Sequence, residues 1–289
     1  MGSRSMGMLL ALGALIVAFA GCRDGARRAG AIDASLASCL SPNATVIAGA
    51  DLNALRAAPI FAKLPPSAHA FIEQLQGVSK ALASYGGNEL LVAARGNFQT
   101  APAGATMIAP GVAIFGATEQ VAAARKRYQA SEGGPAELLA RAEPIAAGAQ
   151  VWIAARGSAT FPLSGNFASA IGILRKATFY TVAARIGESV SVDLRATAPD
   201  ENAARAIEET LRADFTLAAA GESKHPDIVA ALRSAKVDRD GVNVRVTLIA
   251  NAALIESLAE TQHRQAEYAR AEHGQRGHLR PEHIEASAF

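Results

Sequence analysis

The order of strand-like and helix-like segments repeats along this sequence, and this repetition is the strongest limit on its fold. Residues 43–128 and residues 149–260 each run strand, helix, strand, strand, helix. Strands that follow one another in pairs, with helices between the pairs, are typical of α+β folds, in which helices pack against an antiparallel sheet. The sequence therefore predicts a duplicated α+β unit with antiparallel sheets and helices on one face.

The second unit contains the clearest strand patterns. Residues 189–196 alternate apolar and polar side chains with a period of two, which is typical of a half-buried antiparallel strand. Asp240-Gly241 predicts a tight hairpin turn, followed by a last alternating strand at 242–249. These signals predict that the second unit ends in a hairpin.

Two further segments have patterns that are not strand-like. Apolar residues within 71–82 recur at i, i+3 and i+4 and predict a helix that ends at Gly86-Gly87. Residues 129–148 contain Gly133-Gly134-Pro135, and glycine and proline break regular structure. We predict that 129–148 is a linker holding a short helix at 136–142.

Composition excludes several classes of protein. The chain of 289 residues carries 28 Lys and Arg against 26 Asp and Glu, so it lacks the basic excess of a dedicated nucleic-acid binder. Its two cysteines are too few for a disulfide framework or for a zinc site of several cysteines. Cys39 is predicted to be a small buried apolar residue, with pairing between chains as the alternative. We expect a folded protein with no nucleic-acid partner.

The N-terminus carries an export signal. Arg4 precedes an apolar run from Leu9 to Ala20, which suits the hydrophobic region of a signal peptide and is too short to span a bilayer. The run ends in Ala18-Phe19-Ala20-Gly21-Cys22, and these small residues before a cysteine resemble the lipobox of bacterial lipoproteins. Phe19 stands where that family usually has leucine or another aliphatic residue. The resemblance implies that residues 1–21 are a lipoprotein signal peptide.

The same resemblance implies a lipid on Cys22. In this family the signal peptide is cut before the cysteine, here between Gly21 and Cys22. The thiol receives diacylglycerol, and the new N-terminus takes a further acyl chain such as palmitate. Two or three acyl chains hold a protein durably on a membrane, because each buried CH₂ contributes about 0.8 kcal/mol. An ordinary cleaved signal peptide and a retained membrane anchor are the two alternatives.

The residues after Cys22 predict a tether and indicate which membrane holds the protein. Residues 22–42 are predicted to be a tether between the lipid and the body. In the family's best-known sorting rule, an aspartate after the lipidated cysteine retains the protein in the inner membrane, and Arg23 stands at that position here. We therefore expect an exported protein that is lipid-anchored to a cell membrane. The outer membrane is slightly favoured where the organism has one.

Residues 261–289 differ from the rest of the chain because they are polar and contain several histidines. Apolar residues nearly vanish there, so burial cannot offset the entropy of ordering, and we predict a disordered or partly helical tail. His273, His278 and His283 are weak metal candidates, since five residues turn a helix by about 140° and the three imidazoles would not share a face. We expect no metal and no cofactor.

The body carries a weaker resemblance. Residues 46–59 contain Asp51-Leu52 and Leu55-Arg56 where a strand passes into a helix. This segment is loosely similar to uncharacterised bacterial lipoproteins with duplicated strand–helix units. The resemblance implies a fold and transfers no functional residue.

No sequence motif indicates catalysis. The chain lacks the Gly-x-Ser-x-Gly turn of serine hydrolases, the glycine-rich phosphate loops and the His-Glu-x-x-His zinc motif. Acidic residues near the hairpins are predicted to be exposed turn and strand residues, namely Glu188, Asp193, Asp238 and Asp240. The single tryptophan, Trp152, is predicted to lie in the core. We therefore assign no catalytic residue, and an enzyme is the less favoured class.

We hypothesise a lipid-anchored envelope protein of a non-catalytic binding or scaffolding type, with the membrane and an envelope protein as its partners. The alternatives are a periplasmic carrier of a small molecule or lipid, and an enzyme whose site is not visible in the sequence. A large apolar cavity would favour the carrier. Clustered acids or histidines with shifted pKa values would favour the enzyme. A packed core beside an open sheet would favour the binding module.

Overall fold

The computed structural model of the chain describes residues 32–63, 69, 72–87, 89–159, 172–221, 226–251 and 254. Its strands are β1 (Val46–Asp51), β2 (Val78–Gly86), β3 (Glu89–Gly96), β4 (Thr106–Ala109), β5 (Val112–Phe115), β6 (Val151–Arg156), β7 (Phe179–Ile186), β8 (Val190–Thr197), β9 (Lys236–Asp240) and β10 (Asn243–Ala250). Its helices are α1 (Ala34–Cys39), α2 (Leu52–Arg56), α3 (Thr118–Ala130), α4 (Ala136–Ala146), α5 (Glu201–Gly221) and α6 (Pro226–Ser234), with a 3-10 turn at Pro59–Lys63.

The strands of this described part form one 10-stranded antiparallel sheet in the order β4-β5-β3-β2-β1-β6-β7-β8-β10-β9. The order is symmetric about the β1–β6 pair, since each strand of the first half has its counterpart, five numbers later, at the mirrored place. At this central pair Val46 lies opposite Ala155, and Ala50 lies opposite Val151. The predicted α+β class and the duplicated antiparallel unit are confirmed, and the two copies share one continuous sheet.

Helices cover both faces of this sheet. We call the face that carries Ile47 and Trp152 the first face, and the face that carries Val46 and Ile153 the second face. Helices α1, α3 and α4 pack on the first face. Helices α5 and α2, with the 3-10 turn, pack on the second face. The arrangement differs from the predicted helices on one face because residues 151–155 are all buried, and a strand buried on both sides needs a layer on each face.

The helix predicted for residues 71–82 is wrong from Val78 onward. β2 begins at Val78 and pairs with β1 on one side and with β3 on the other. Gly77 has a φ of 83°, a left-handed conformation that breaks the helical turn before the strand. Residues four apart share a face in a helix and also in a strand, so the apolar spacing fits both structures.

The predicted tether at 22–42 contains part of the core. α1 lies within it, and Leu36 and Cys39 on this helix have no exposed area. Asp33 caps the helix by accepting backbone hydrogen bonds from Ser35 and Leu36. A six-residue helix gains its stability from tertiary packing and not from intrinsic propensity, so this helix belongs to the folded body. Residues 22–31 of the tether lie outside the described residues.

The predicted linker at 129–148 also contributes to the core. Its short helix extends to Ala146 instead of 142, and Leu138 and Ala142 are fully buried against the first face. The linker is therefore a structural layer over the sheet. The predicted signal peptide at 1–21 and the predicted tail at 261–289 lie outside the described residues.

The hairpin predicted at Asp240-Gly241 is confirmed. β9 and β10 pair across it with Asp240 opposite Asn243. The alternating segment 189–196 forms most of β8, and β10 pairs with β8 on its other side. These pairings place the polar side chains of three strands next to one another on the first face.

Candidate binding face

Among the described residues, the core on the first face includes no side chain of β8, β10 or β9. The residues that these strands present there are Ser191, Asp193, Arg195, Thr197, Lys236, Asp238, Asp240, Asn243, Arg245, Thr247 and Ile249, which we call the open face. All of them are exposed or half-buried except Asp193. Ile249 is 49% exposed, which is unusual for a large aliphatic side chain. The first half differs, because α1 and α3 cover the first face there.

Asp193 lies on β8, at the side of the open face nearest β7, and binds two arginines. Its side chain is only 3% exposed. Arg195 donates from Nε to Oδ1 at 3.1 Å and from Nη2 to Oδ2 at 3.2 Å. Arg245, across on β10, donates from Nε to Oδ1 at 3.2 Å and from Nη2 to Oδ2 at 2.5 Å. Arginine forks of this kind are among the strongest hydrogen bonds between side chains.

These bonds keep the carboxylate of Asp193 ionised. Burial raises the pKa of Asp193, but the hydrogen bonds from Arg195 and Arg245 outweigh burial and hold that pKa below its usual range. The prediction of an exposed strand residue is therefore wrong for Asp193. It holds for Glu188, Asp238 and Asp240, which are exposed.

A cleft of about 580 Å³ separates α4 from the open face. Its wall contains Arg141, Pro144 and Ile145 of α4, and its floor runs across β7, β8, β10 and β9. The Cζ atom of Arg141 lies 3.7 Å from the centroid of the Phe179 ring, which is a close cation–π contact. The buried Nε of Arg141 has no hydrogen-bond partner among the described residues. The cleft thus combines an aliphatic wall with a fixed guanidinium.

This arrangement is suited to binding. Two guanidiniums on one carboxylate leave a net positive charge at the centre of the cleft, and Arg141 adds another. Paired arginines and an ionised aspartate supply no nucleophile and no general base with a pKa near neutrality. Within the described ranges no group of His, Cys, Asp and Glu residues is placed to hold a metal ion.

The residues singled out from the sequence have different outcomes. Gly21 and Cys22, and the candidates His273, His278 and His283, lie outside the described residues. The roles assigned to these residues remain predictions.

Two core predictions are confirmed. Trp152 is 5% exposed. Cys39 is buried, and burial raises the pKa of its thiol to about 11, so the thiol stays protonated at neutral pH. A protonated, buried thiol is an inert packing group.

Sequence reasoning missed three of the arginines that line the cleft, namely Arg141, Arg195 and Arg245. The alternation along β8 places Arg195 on the polar side, and this signal was available. The partner strand of β8 and the position of Arg141 on a covering helix depend on the topology of the sheet, which no local pattern contains.

The described part of the chain contains no helix that is long and apolar enough to cross a membrane.

The fold and the candidate face define an α+β protein with a duplicated unit, whose described helices leave three neighbouring strands exposed on one face of the sheet. No protein-family model matches this sequence, and no curated protein matches it. Among solved structures, crystal form I of TP0453 matches with a TM-score of 0.45 and 12% sequence identity, over 81% of this chain and 97% of that chain. Crystal form III of TP0453 matches with a TM-score of 0.48 and 9% identity, over 78% of this chain and 96% of that chain. At these identities the likeness concerns the fold alone.

Proposed function

We propose that this chain is an exported envelope lipoprotein that binds a partner protein on the open face. Cys22 carries the lipid and holds the body on a membrane, the outer membrane where the organism has one. The body presents the open face to a partner in the envelope and catalyses no reaction.

The open face is the observation that carries this proposal. Three neighbouring strands present charged and polar side chains and the exposed Ile249 on the first face, and none of these side chains belongs to the core formed there by the described helices. Elsewhere the strands of the same sheet are packed by helices on the first or the second face. An exposed sheet face with polar and apolar groups interspersed resembles the composition of non-obligate protein interfaces.

The two alternatives receive less support from the same residues. A carrier needs an enclosed, mainly apolar cavity, whereas the cleft beside α4 has arginines and aspartates among its lining residues. An enzyme needs an acid, base or nucleophile with a pKa tuned to the reaction. The carboxylates with lowered pKa values, Asp33 and Asp193, are each held by arginine in ion pairs.

The anchor is tested by the substitution Cys22→Ser. Full-length protein and this variant are expressed in a bacterium that processes lipoproteins, and membranes are separated by density. We expect the unsubstituted protein in the membrane fraction, with an intact mass that includes lipid, and the variant without lipid. Equal masses after processing, with both proteins soluble, would contradict the anchor.

The binding face is tested by photocrosslinking in intact cells. One variant carries a photoreactive amino acid at Ile249 on the open face, and the matched control carries it at Leu217 on α5, which is 69% exposed. We expect one crosslinked product of defined mass from Ile249 and none from Leu217. Purified partner should then bind the full-length protein and fail to bind an Ile249→Lys variant. Equal crosslinking at both positions would contradict a specific face.

A further inference from the structure

Arg141 lies at one end of the cleft, and no carboxylate among the described residues comes closer than 4.0 Å to its guanidinium. Its Nη2 lies 4.0 Å from Oε1 of Glu137, at the limit of an ion pair. Glu137 pairs instead with Arg156, whose Nη2 lies 2.8 Å from Oε2. Because Phe179 holds the Arg141 guanidinium by stacking, an anion that binds there meets a donor that is already ordered.

The centre of the cleft adds to this positive charge. Arg195 and Arg245 share the single carboxylate of Asp193, so one positive charge is left uncompensated. Both guanidiniums are about half exposed, at 52% each. The part of the cleft between α4 and β10 therefore favours a negatively charged group.

The far end of the cleft has the opposite charge. Asp238 and Asp240 lie on β9, line the same cleft and are exposed. Arg239 between them also lines the cleft, but its Nε pairs with Oε2 of Glu208 at 2.8 Å. β9 is separated from β7 by β10 and β8. Three strand spacings of about 4.8 Å give about 14 Å between the two ends. The cleft is therefore bipolar, with arginines beside α4 and aspartates at the sheet edge.

We propose that this cleft binds an extended peptide segment of the partner, whose acidic residue pairs with Arg141 and whose basic residue, about four positions away, pairs with Asp238 and Asp240. The inference rests on the proposed function and names the chemistry of the partner. An extended chain advances about 3.4 Å per residue, so four residues span about 14 Å. Side chains four positions apart also point to the same side of such a chain.

The aliphatic wall and the charge pattern favour a peptide over a simple anion. Pro144 and Ile145 provide an apolar surface for the residues between the two charges. A phosphate or a lipid headgroup would satisfy the arginines and leave the two aspartates repelling its charge. A peptide with both charges is attracted at both ends, and this complementarity also excludes segments with two like charges.

The test uses full-length protein in detergent and short fluorescent peptides of serine and threonine. One peptide carries glutamate and lysine four positions apart, and the control peptide carries two glutamates. We expect the Glu–Lys peptide to bind more tightly, with an affinity that falls as salt is raised. Arg141→Gln should weaken this binding by about tenfold, since it removes one charge-assisted pair. Arg205→Gln removes one exposed charge on α5, outside the cleft, and should leave the affinity unchanged.

A charge reversal provides the second test. Asp240 is the exposed last residue of β9, so we expect the fold to tolerate Asp240→Lys, which places a cation at the far end of the cleft. This variant should reverse the preference and bind the peptide with two glutamates more tightly. Equal binding of both peptides, full affinity in Arg141→Gln, or tighter binding of inorganic pyrophosphate than of either peptide would overturn the inference.

The outcomes separate this inference from the proposed function. If the Ile249 crosslink persists while neither peptide binds, the partner docks on the open face without the charged segment, and the inference is wrong. If the Ile249 crosslink is absent, the proposed function is wrong. Melting curves of Arg141→Gln and Asp240→Lys, compared with the unsubstituted protein, show whether a loss of affinity reflects a loss of fold.

Discussion

Asp33 holds the first helix of the body to the sheet. Its Oδ1 accepts the backbone N–H groups of Ser35 at 3.0 Å and Leu36 at 3.2 Å, and its Oδ2 lies 2.5 Å from Nε of Arg95 on β3. Burial raises the pKa of Asp33, but the hydrogen bonds from Arg95, Ser35 and Leu36 outweigh it and lower that pKa from 3.8 to about 2. One carboxylate thus acts as a helix cap and as an ion pair across two elements.

This pKa makes a prediction about acid stability. Because the folded state lowers the pKa of Asp33, its stabilisation is fully present above pH 4 and is lost as the pH falls towards 2. Asp33→Asn should reduce the free energy of unfolding by about 2 kcal/mol at pH 7 and by much less at pH 2. Urea unfolding of both proteins at pH 7, 4 and 2 measures the difference.

The control is Asp51→Asn. Asp51 caps α2 through the backbone N–H of Ala54 at 2.8 Å, and no ion pair to it is described. That variant retains Asp33, so it should keep the pH dependence of the unsubstituted protein between pH 4 and 2. A loss in Asp33→Asn that is the same at pH 7 and pH 2 would contradict the ionic role of Asp33.

Among the elements, β8 and the last hairpin could be predicted from local signals, whereas the covering role of α4 could not, although a short helix was predicted there. The alternation along β8 and the Asp240-Gly241 turn depend on neighbours in the sequence, so local patterns sufficed. The role of α4 depends on what lies beneath it. Gly133-Gly134-Pro135 and Pro144 indicated a linker. Leu138 and Ala142, which are four residues apart, form the apolar side of the helix that is buried against the sheet. Only the tertiary contact decides between the two interpretations.

The structural role of α4 is tested by Leu138→Ala. Leu138 has no exposed area and packs in the core of the first face, so its truncation should lower the free energy of unfolding by about 3 kcal/mol. Leu217→Ala on α5 is the matched control, since Leu217 is 69% exposed and should cost little. Guanidinium unfolding followed by the fluorescence of Trp152 measures both. Equal small losses would show that α4 behaves as a linker after all.

At the scale of the whole molecule, the candidate site depends on the order of the strands. Arg195 and Arg245 meet because β10 returns to lie beside β8, and Arg141 reaches the cleft because α4 lies over β6 and β7. No pattern in the sequence between these arginines indicates that they lie close together in the fold. The fold class could be predicted from the local pattern of apolar, polar and turn residues. The site could not, because it depends on the order in which the strands lie in the sheet.

The continuous sheet predicts that the two copies of the unit unfold together. The core of the first face combines Ile47 and Leu82 of the first half with Trp152 and Phe179 of the second, so neither half has a complete core of its own. At the central β1–β6 pair, where the two halves meet, Gly49 lies opposite Trp152. A Cβ atom at Gly49 would overlap the indole ring. We therefore expect a substitution at Gly49 to destabilise both halves of the sheet.

Calorimetry of the full-length protein in detergent should show one transition, with a ratio of calorimetric to van 't Hoff enthalpy of about 1. Gly49→Ala should lower its midpoint as a whole, with a loss of about 2 kcal/mol from the displaced indole. Gly187→Ala is the control, because a Cβ at Gly187 would have only the carbonyl oxygen of Ser189 nearby, at 3.8 Å. Two transitions, of which Gly49→Ala shifts only one, would mean that the halves are independent domains, each stable without the other's side chains.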